Sequence, residues 1–83
     1  MSTIEENGIK FSKELKIIGQ KYSGYFNSVT SKPENIDDCF MIKNYSTIYY
    51  RKRYELREDI LQEVLSKFRE IFKEDAVIHS TEL

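Results

Sequence analysis

The sequence predicts a small α+β domain in the order helix, β-hairpin, helix, with both helices on one face of a short antiparallel sheet. Three observations predict it: a heptad-spaced apolar stripe in the first third, an alternation of period two in the middle, and a broad apolar helical face in the last third. The 83 residues are 40% hydrophobic and carry a net charge of -1. We therefore expect a single domain over residues 1–83, with 1–8 and 79–83 frayed.

The first helix is predicted by apolar side chains spaced four and three residues apart. These residues are Phe11, Leu15, Ile18, Tyr22, Tyr25 and Val29. Their spacing is that of a heptad seam, which indicates a helix with one apolar stripe. Its start has two interpretations: Ser2 or Thr3 fits a capping box, whereas a turn at Asn7 and Gly8 delays the helix to about residue 9.

Two glycines fall inside this helical stretch. Gly19 and Gly24 each cost about 1 kcal/mol relative to alanine in a helix interior. We favour a tolerated weakness at both positions, with a close helix approach as the alternative. The polar segment 30–38, which contains Pro33, is typical of a loop.

The middle of the chain alternates between apolar and amphipathic residues. Apart from Lys52, the even positions are apolar: Ile48, Tyr50, Tyr54 and Leu56. Period two with β-branched and aromatic enrichment favours a strand with one wet face, paired through a turn at 44–46 with residues 39–43. The alternative is an all-α helical hairpin, because 55–58 hold no Ser, Thr or Asn cap and Ser46 is suited to cap a helix running to about residue 74.

The last third predicts a second helix and a possible third strand. Apolar residues between Ile60 and Phe72 form a broad helical face, and Glu58 and Asp59 suit a helix first turn. The short run 76–78 is a candidate for an added strand.

No constellation of residues predicts catalysis, a metal site or a cofactor. His79 is the single histidine, Cys39 the single cysteine, and no glycine-rich phosphate-binding motif occurs. We expect a surface histidine, a small core cysteine and no enzyme activity. The chain also lacks a signal-peptide pattern and a long apolar run, so the expected location is cytoplasmic and away from membranes.

Charge is segregated along the chain. Residues 43–57 have five basic side chains and one acidic, whereas 58–83 have three basic and seven acidic. The basic run supplies the predicted partner-binding residues, which are Tyr49, Arg51, Arg53, Tyr54 and Arg57. On a strand, Tyr49 and the three arginines would project from the open face, although pairing with the acidic helix is a simpler interpretation of the charges.

The predicted function is that of a small non-enzymatic protein–protein interaction module, of adaptor or inhibitor type. Tyrosine and arginine are enriched at binding hot spots, and they form the proposed surface. The alternative is nucleic-acid binding through the basic aromatic strand 49–57. A homo-oligomer is also expected, because the seam of the first helix can meet a symmetry mate instead of the second helix.

Overall fold

The computed structural model describes residues 3–28 and 35–83 of the 83-residue chain. Its regular elements are α1 Thr3–Lys21, α2 Ser23–Ser28, β1 Phe40–Lys43, β2 Thr47–Arg51, α3 Glu58–Phe72 and β3 Val77–Thr81. Short 3-10 turns at Ile36–Cys39, Lys52–Tyr54 and Lys73–Asp75 lead into or out of these elements. The α+β prediction is confirmed, and the all-α alternative is wrong because the middle of the chain forms a hairpin.

The sheet has three strands in the order β1-β2-β3. β1 pairs antiparallel with β2, as expected for a hairpin, but β3 pairs parallel with β2. The sheet is therefore mixed and not purely antiparallel. The reason is the connection: parallel neighbours need a crossover, and α3 supplies it between β2 and β3.

The apolar seam of α1 is buried within the chain. Phe11, Leu15 and Ile18 all lie in the core, while Val29 falls outside the described residues. α1 already includes Asn7 and Gly8, so these residues do not form a turn that delays the helix. The seam is consequently covered by the same molecule.

The core lies between the two long helices and the inner face of the sheet. Phe11 of α1 meets Phe68 of α3 edge to face, with ring centroids 5.0 Å apart and planes at 82°. Ile48, the second residue of β2, is 0% exposed and completes the core from the sheet side. The buried side chains of α3 are Ile60, Leu61, Val64, Leu65, Phe68, Ile71 and Phe72.

Two of the glycines are in close packing and one is not. A Cβ built on Gly19 would lie 2.9 Å from Cγ2 of the buried Ile36, and one on Gly8 would lie 2.9 Å from the ring of Tyr45. A Cβ on Gly24 would meet nothing within 4 Å. Gly19 thus permits a close approach, to the 3-10 turn before β1 and not to another helix, whereas Gly24 is a tolerated weakness.

α3 begins without a side-chain cap from its N-cap residue, and two tyrosine hydroxyls accept from the backbone of the two residues that precede the helix. The backbone N–H of Leu56 donates to the Tyr50 hydroxyl at 2.9 Å, and that of Arg57 donates to the Tyr25 hydroxyl at 3.3 Å. Arg57 is the N-cap residue, with no side-chain cap of its own. Helix N-termini leave backbone donors unpaired, so these hydroxyls stabilise the chain just where it enters α3.

Parts of the two segments expected to fray carry regular structure. Helix α1 starts at Thr3, and β3 extends to Thr81. The fraying of residues 1–8 and 79–83 stays a prediction. Across 3–28 and 35–83, no helix is both long and apolar enough to cross a membrane.

Gly19 and Gly24 make a matched test of packing. We expect Gly24→Ala to raise the free energy of unfolding by about 0.5 kcal/mol, since it adds helix propensity in open space. We expect Gly19→Ala to lower it by about 1 kcal/mol, because overpacking against Ile36 exceeds the propensity gain. Urea unfolding followed by circular dichroism measures both, and equal stabilisation by the two variants would contradict the close contact.

The hydroxyl that stabilises the entry to α3 can be removed without changing the ring. We expect Tyr50→Phe to lower the free energy of unfolding by about 1 kcal/mol, because the Leu56 N–H loses its acceptor. Tyr45→Phe is the control, since Tyr45 is 50% exposed in the hairpin turn, and its expected effect is close to zero. Similar free energies of unfolding for both variants in urea would contradict this role of the Tyr50 hydroxyl.

Candidate interaction surface

Alternate residues of each strand point away from the helices and form the outer face of the sheet. Ile48 and Tyr50 of β2 pack against the core, so Thr47, Tyr49 and Arg51 project to the other side. The register of the neighbouring strands extends this surface, because paired residues point the same way. We call it the open face, and its residues are Met41, Lys43, Thr47, Tyr49, Arg51, Val77, His79 and Thr81.

A row of three side chains crosses the centre of the open face. Met41, Tyr49 and His79 occupy the same register position on β1, β2 and β3. The rings of Tyr49 and His79 are 5.2 Å apart with an interplanar angle of 32°, so they form a continuous, shallowly tilted platform. Because Tyr49 is half-buried in this row, its ring is held in place before any ligand arrives.

The charges on the open face are all basic. Lys43 places Nζ 5.5 Å from the centroid of the Tyr49 ring, a cation–π contact. Arg51 donates from Nη1 to the backbone oxygen of Asp38 at 3.2 Å, which fixes the guanidinium at the end of the sheet. No residue of the open face carries a carboxylate, so the net formal charge of its side chains is positive.

Arg53 and Tyr54, which were expected in the same surface, lie beyond the end of β2. The strand ends at Arg51 and the chain turns through Lys52–Tyr54, after which Glu55 adopts a φ of 48°. Tyr54 packs against the core, and the Arg53 guanidinium stacks on its ring at 4.7 Å while donating to its hydroxyl at 2.7 Å. This break in the strand removes both residues from the open face.

Arg57 belongs to a separate cluster at the start of α3. Its guanidinium lies 5.5 Å from the Tyr22 ring centroid and 5.3 Å from that of Tyr25. Its Nε also pairs with Oδ1 of Asp59 at 2.6 Å. This hydrogen bond raises the pKa of Arg57 and lowers the pKa of Asp59. The cluster connects α1 and α2 to α3, which is a structural role.

A second polar contact joins the same elements. The Tyr22 hydroxyl donates to Oε1 of Glu63 at 2.5 Å, and Lys21 Nζ lies 3.0 Å from Oε2. The hydrogen bond from Tyr22, with that from Lys21 next, lowers the pKa of Glu63. The same bond raises the pKa of Tyr22. The carboxylate therefore stays ionised and bridges α3 to the end of α1.

The buried Cys39 thiol and the placement of the potential metal ligands bear on what chemistry the chain can carry out. Cys39 is 0% exposed, and its burial raises the thiol pKa to about 12, which keeps it protonated and unreactive at neutral pH. A search of the described ranges for three or more His, Cys, Asp or Glu side chains placed to hold a metal ion finds none.

Sequence reasoning identified Tyr49 and Arg51 and missed the residues that accompany them. Met41, Lys43 and His79 join them through strand register, and His79 does so through a parallel pairing. The only sequence signal was the hairpin itself, which aligns Lys43 with Thr47 and Met41 with Tyr49. Comparisons of the chain with protein-family models, curated proteins and solved structures find no match. Function is therefore inferred from the geometry.

The Glu63 contact makes a prediction about acid stability. A lowered carboxyl pKa contributes stability that is present above the ordinary value, about 4.3, and is lost as the pH falls through the lowered value. We therefore expect Glu63→Gln to show a smaller drop in unfolding temperature than the wild type between about pH 6 and about pH 3. Tyr22→Phe, which removes the largest cause of the shift, should act in the same direction. An unchanged pH profile in both variants would refute the linkage.

Proposed function

We propose that this chain is a small non-enzymatic protein-interaction module, of adaptor or inhibitor type, that binds an acidic segment of another protein on its open face. The observation that carries the proposal is the Met41–Tyr49–His79 row, flanked by Lys43 and Arg51 on a face without carboxylates. We place this activity in the cytoplasm, where the buried, unpaired Cys39 stays a thiol.

The residue types on the open face suit a protein partner. Aromatic side chains, Met and Arg are enriched at the cores of protein interfaces, and Tyr supplies a large contact area with few rotatable bonds. The Arg51 guanidinium has five N–H donors, of which the contact with Asp38 uses one, and its planar fork matches a carboxylate. Lys43 adds a second positive charge near Tyr49. An acidic segment with one apolar or aromatic side chain fits this combination.

The second candidate is a single-stranded nucleic acid, which the ring platform of Tyr49 and His79 favours. Bases stack on such rings with little sequence preference. However, Lys43 and Arg51 are the only Lys or Arg side chains of the open face, since Arg53 and Arg57 engage their own neighbours. Two phosphate contacts give a salt slope of only about -1.4 for a single strand, which is weak for a dedicated binder. The protein partner is therefore our first choice.

Support for a non-enzymatic role comes from Cys39 and His79, the two side chains most suited to nucleophilic or acid–base chemistry. The Cys39 thiol is buried and protonated, as its pKa of about 12 implies. The His79 ring contacts Tyr49 and takes part in the platform. Neither arrangement is that of a nucleophile with a positioned base.

A peptide-selection experiment tests the proposal, because it lets the open face choose its own ligand. The folded chain is used to select binders from a displayed random peptide library, and the selected peptides are measured by fluorescence anisotropy. We expect enrichment of Asp and Glu, and affinities at least about tenfold lower for Lys43→Glu with Arg51→Glu, because both charge contacts reverse. Arg53→Glu is the matched control, since Arg53 lies off the open face, and its affinity should stay within about twofold.

The outcomes separate the two candidates. Selected peptides that bind the Lys43→Glu, Arg51→Glu variant as tightly as the wild type would overturn the open-face assignment. Labelled single-stranded DNA and RNA oligonucleotides are measured in parallel at two salt concentrations. Binding of these with a steep salt dependence, together with no peptide enrichment, would transfer the assignment to nucleic acid.

A further inference from the structure

β3 is an outer edge of the sheet with unpaired backbone groups. It pairs on one side with β2, and within residues 3–28 and 35–83 no strand follows it in the order β1-β2-β3. The Val77 N–H donates to the Ser46 oxygen at 2.9 Å, which places the backbone groups of Val77, His79 and Thr81 toward β2. By the alternation of a strand, the N–H and C=O groups of Ile78 and Ser80 face outward.

This edge lacks the features that usually prevent strands from pairing with other chains. Protected edges carry charges, proline or a bulge, whereas Val77–Thr81 has no proline, no Lys, Arg, Asp or Glu, and an unbroken register with β2. Val77 is 41% exposed. The other edge is different, because β1 ends at the charged Lys43.

We propose that β3 pairs antiparallel with β3 of a second copy of this chain, about a two-fold axis at His79. In this register Ile78 lies opposite Ser80 of the second copy, and both residues present the outward backbone groups that form hydrogen-bonded pairs. Two such pairs give four backbone hydrogen bonds. Val77 then faces Thr81 of the second copy, and His79 faces its own equivalent.

The side chains support a copy of the chain as the occupant. Val77 and Thr81 are both β-branched and uncharged, and such cross-strand pairs stabilise sheets. His79 would extend the row that begins at Met41 and Tyr49, so that the two open faces form one six-stranded surface. β3 has no charged Lys, Arg, Asp or Glu side chain with which an acidic or basic partner could form an ion pair. A second copy of β3 matches its uncharged, β-branched residues.

The helix layer leaves space for this pairing. Ser80 points to the same side of the sheet as Tyr50, yet it is exposed, so α3 does not fill the volume beneath this part of the edge. The contact area of two five-residue strands is small. We therefore expect a weak dimer with a dissociation constant in the micromolar range. It forms on a different surface from the α1 seam, and it does not depend on the proposed open-face partner.

The register is tested by charge placement at the two residues that face each other. Val77→Lys with Thr81→Glu creates two opposite-charge pairs across the two-fold axis, whereas Val77→Glu with Thr81→Glu creates two like-charge pairs. Both variants share the change beside Arg51, so they differ only at position 77. In sedimentation equilibrium from about 10 µM to about 1 mM, the first should dimerise at least about tenfold more tightly than the second.

Cysteine cross-linking is a second test of the register, and it uses single substitutions at exposed positions of β3. We expect His79→Cys to form a disulfide-linked dimer under mild oxidation, since residues at this position face each other at a Cα separation of about 4.5 Å. Ser80→Cys is the control and should stay unlinked, because its equivalent lies diagonally away. A wild type that stays monomeric at about 1 mM, equal dimerisation of the two charge variants, or equal cross-linking of the two cysteine variants would each overturn the proposal.

Discussion

The contact between Phe11 and Phe68 determines where the two long helices lie. Both rings are almost fully buried, and the ring centroids of Phe68 and Phe72 lie 4.8 Å apart. These aromatic contacts hold α1 and α3 against each other. Edge-to-face rings contribute beyond their buried area, and a chain this short buries a limited fraction of its surface. Both long helices pack against the same side of the sheet. The other side is left to solvent, and this is the origin of the open face.

The elements with strong periodicity were predictable, and the pairing between distant elements was not. The seam of α1, the broad face of α3 and the hairpin all follow from local spacing. The direction of β3 depends on the path of α3, which no residue in 76–81 encodes. The end of β2 could not be predicted either, because Tyr54 and Leu56 would face the core on a continued strand and also pack in the core of the observed structure, where the strand has ended. Tyr49 and Arg51 could therefore be assigned to the outer face, whereas Arg53 and Arg57 could not be separated from them.

The start of α3 explains why the all-helical interpretation was plausible and wrong. Absence of a capping residue at 55–58 suggested that the helix began earlier, at Ser46. In the structure the groups that assist this start come from elsewhere in the chain, as the hydroxyls of Tyr25 and Tyr50. Each hydroxyl satisfies a backbone donor immediately before the first helical residue, Glu58. Local capping rules omit such help, since its sources lie 6 and 32 residues away along the chain.

Charge segregation along the chain is only partly neutralised in space: Lys52 pairs with Glu82 and Arg57 with Asp59, whereas Lys43 and Arg51 make other contacts. Ion pairs within the described ranges include Lys21–Glu63, Lys52–Glu82, Arg57–Asp59 and Lys67–Glu70, all at least partly exposed. Such pairs contribute little to stability. Lys43 and Arg51 instead contact a ring and a backbone carbonyl, and neither contact cancels a charge. Together they give the open face a charge opposite to that of the acidic helix α3. The open face therefore combines the Tyr49 and His79 rings with two cations and no carboxylate.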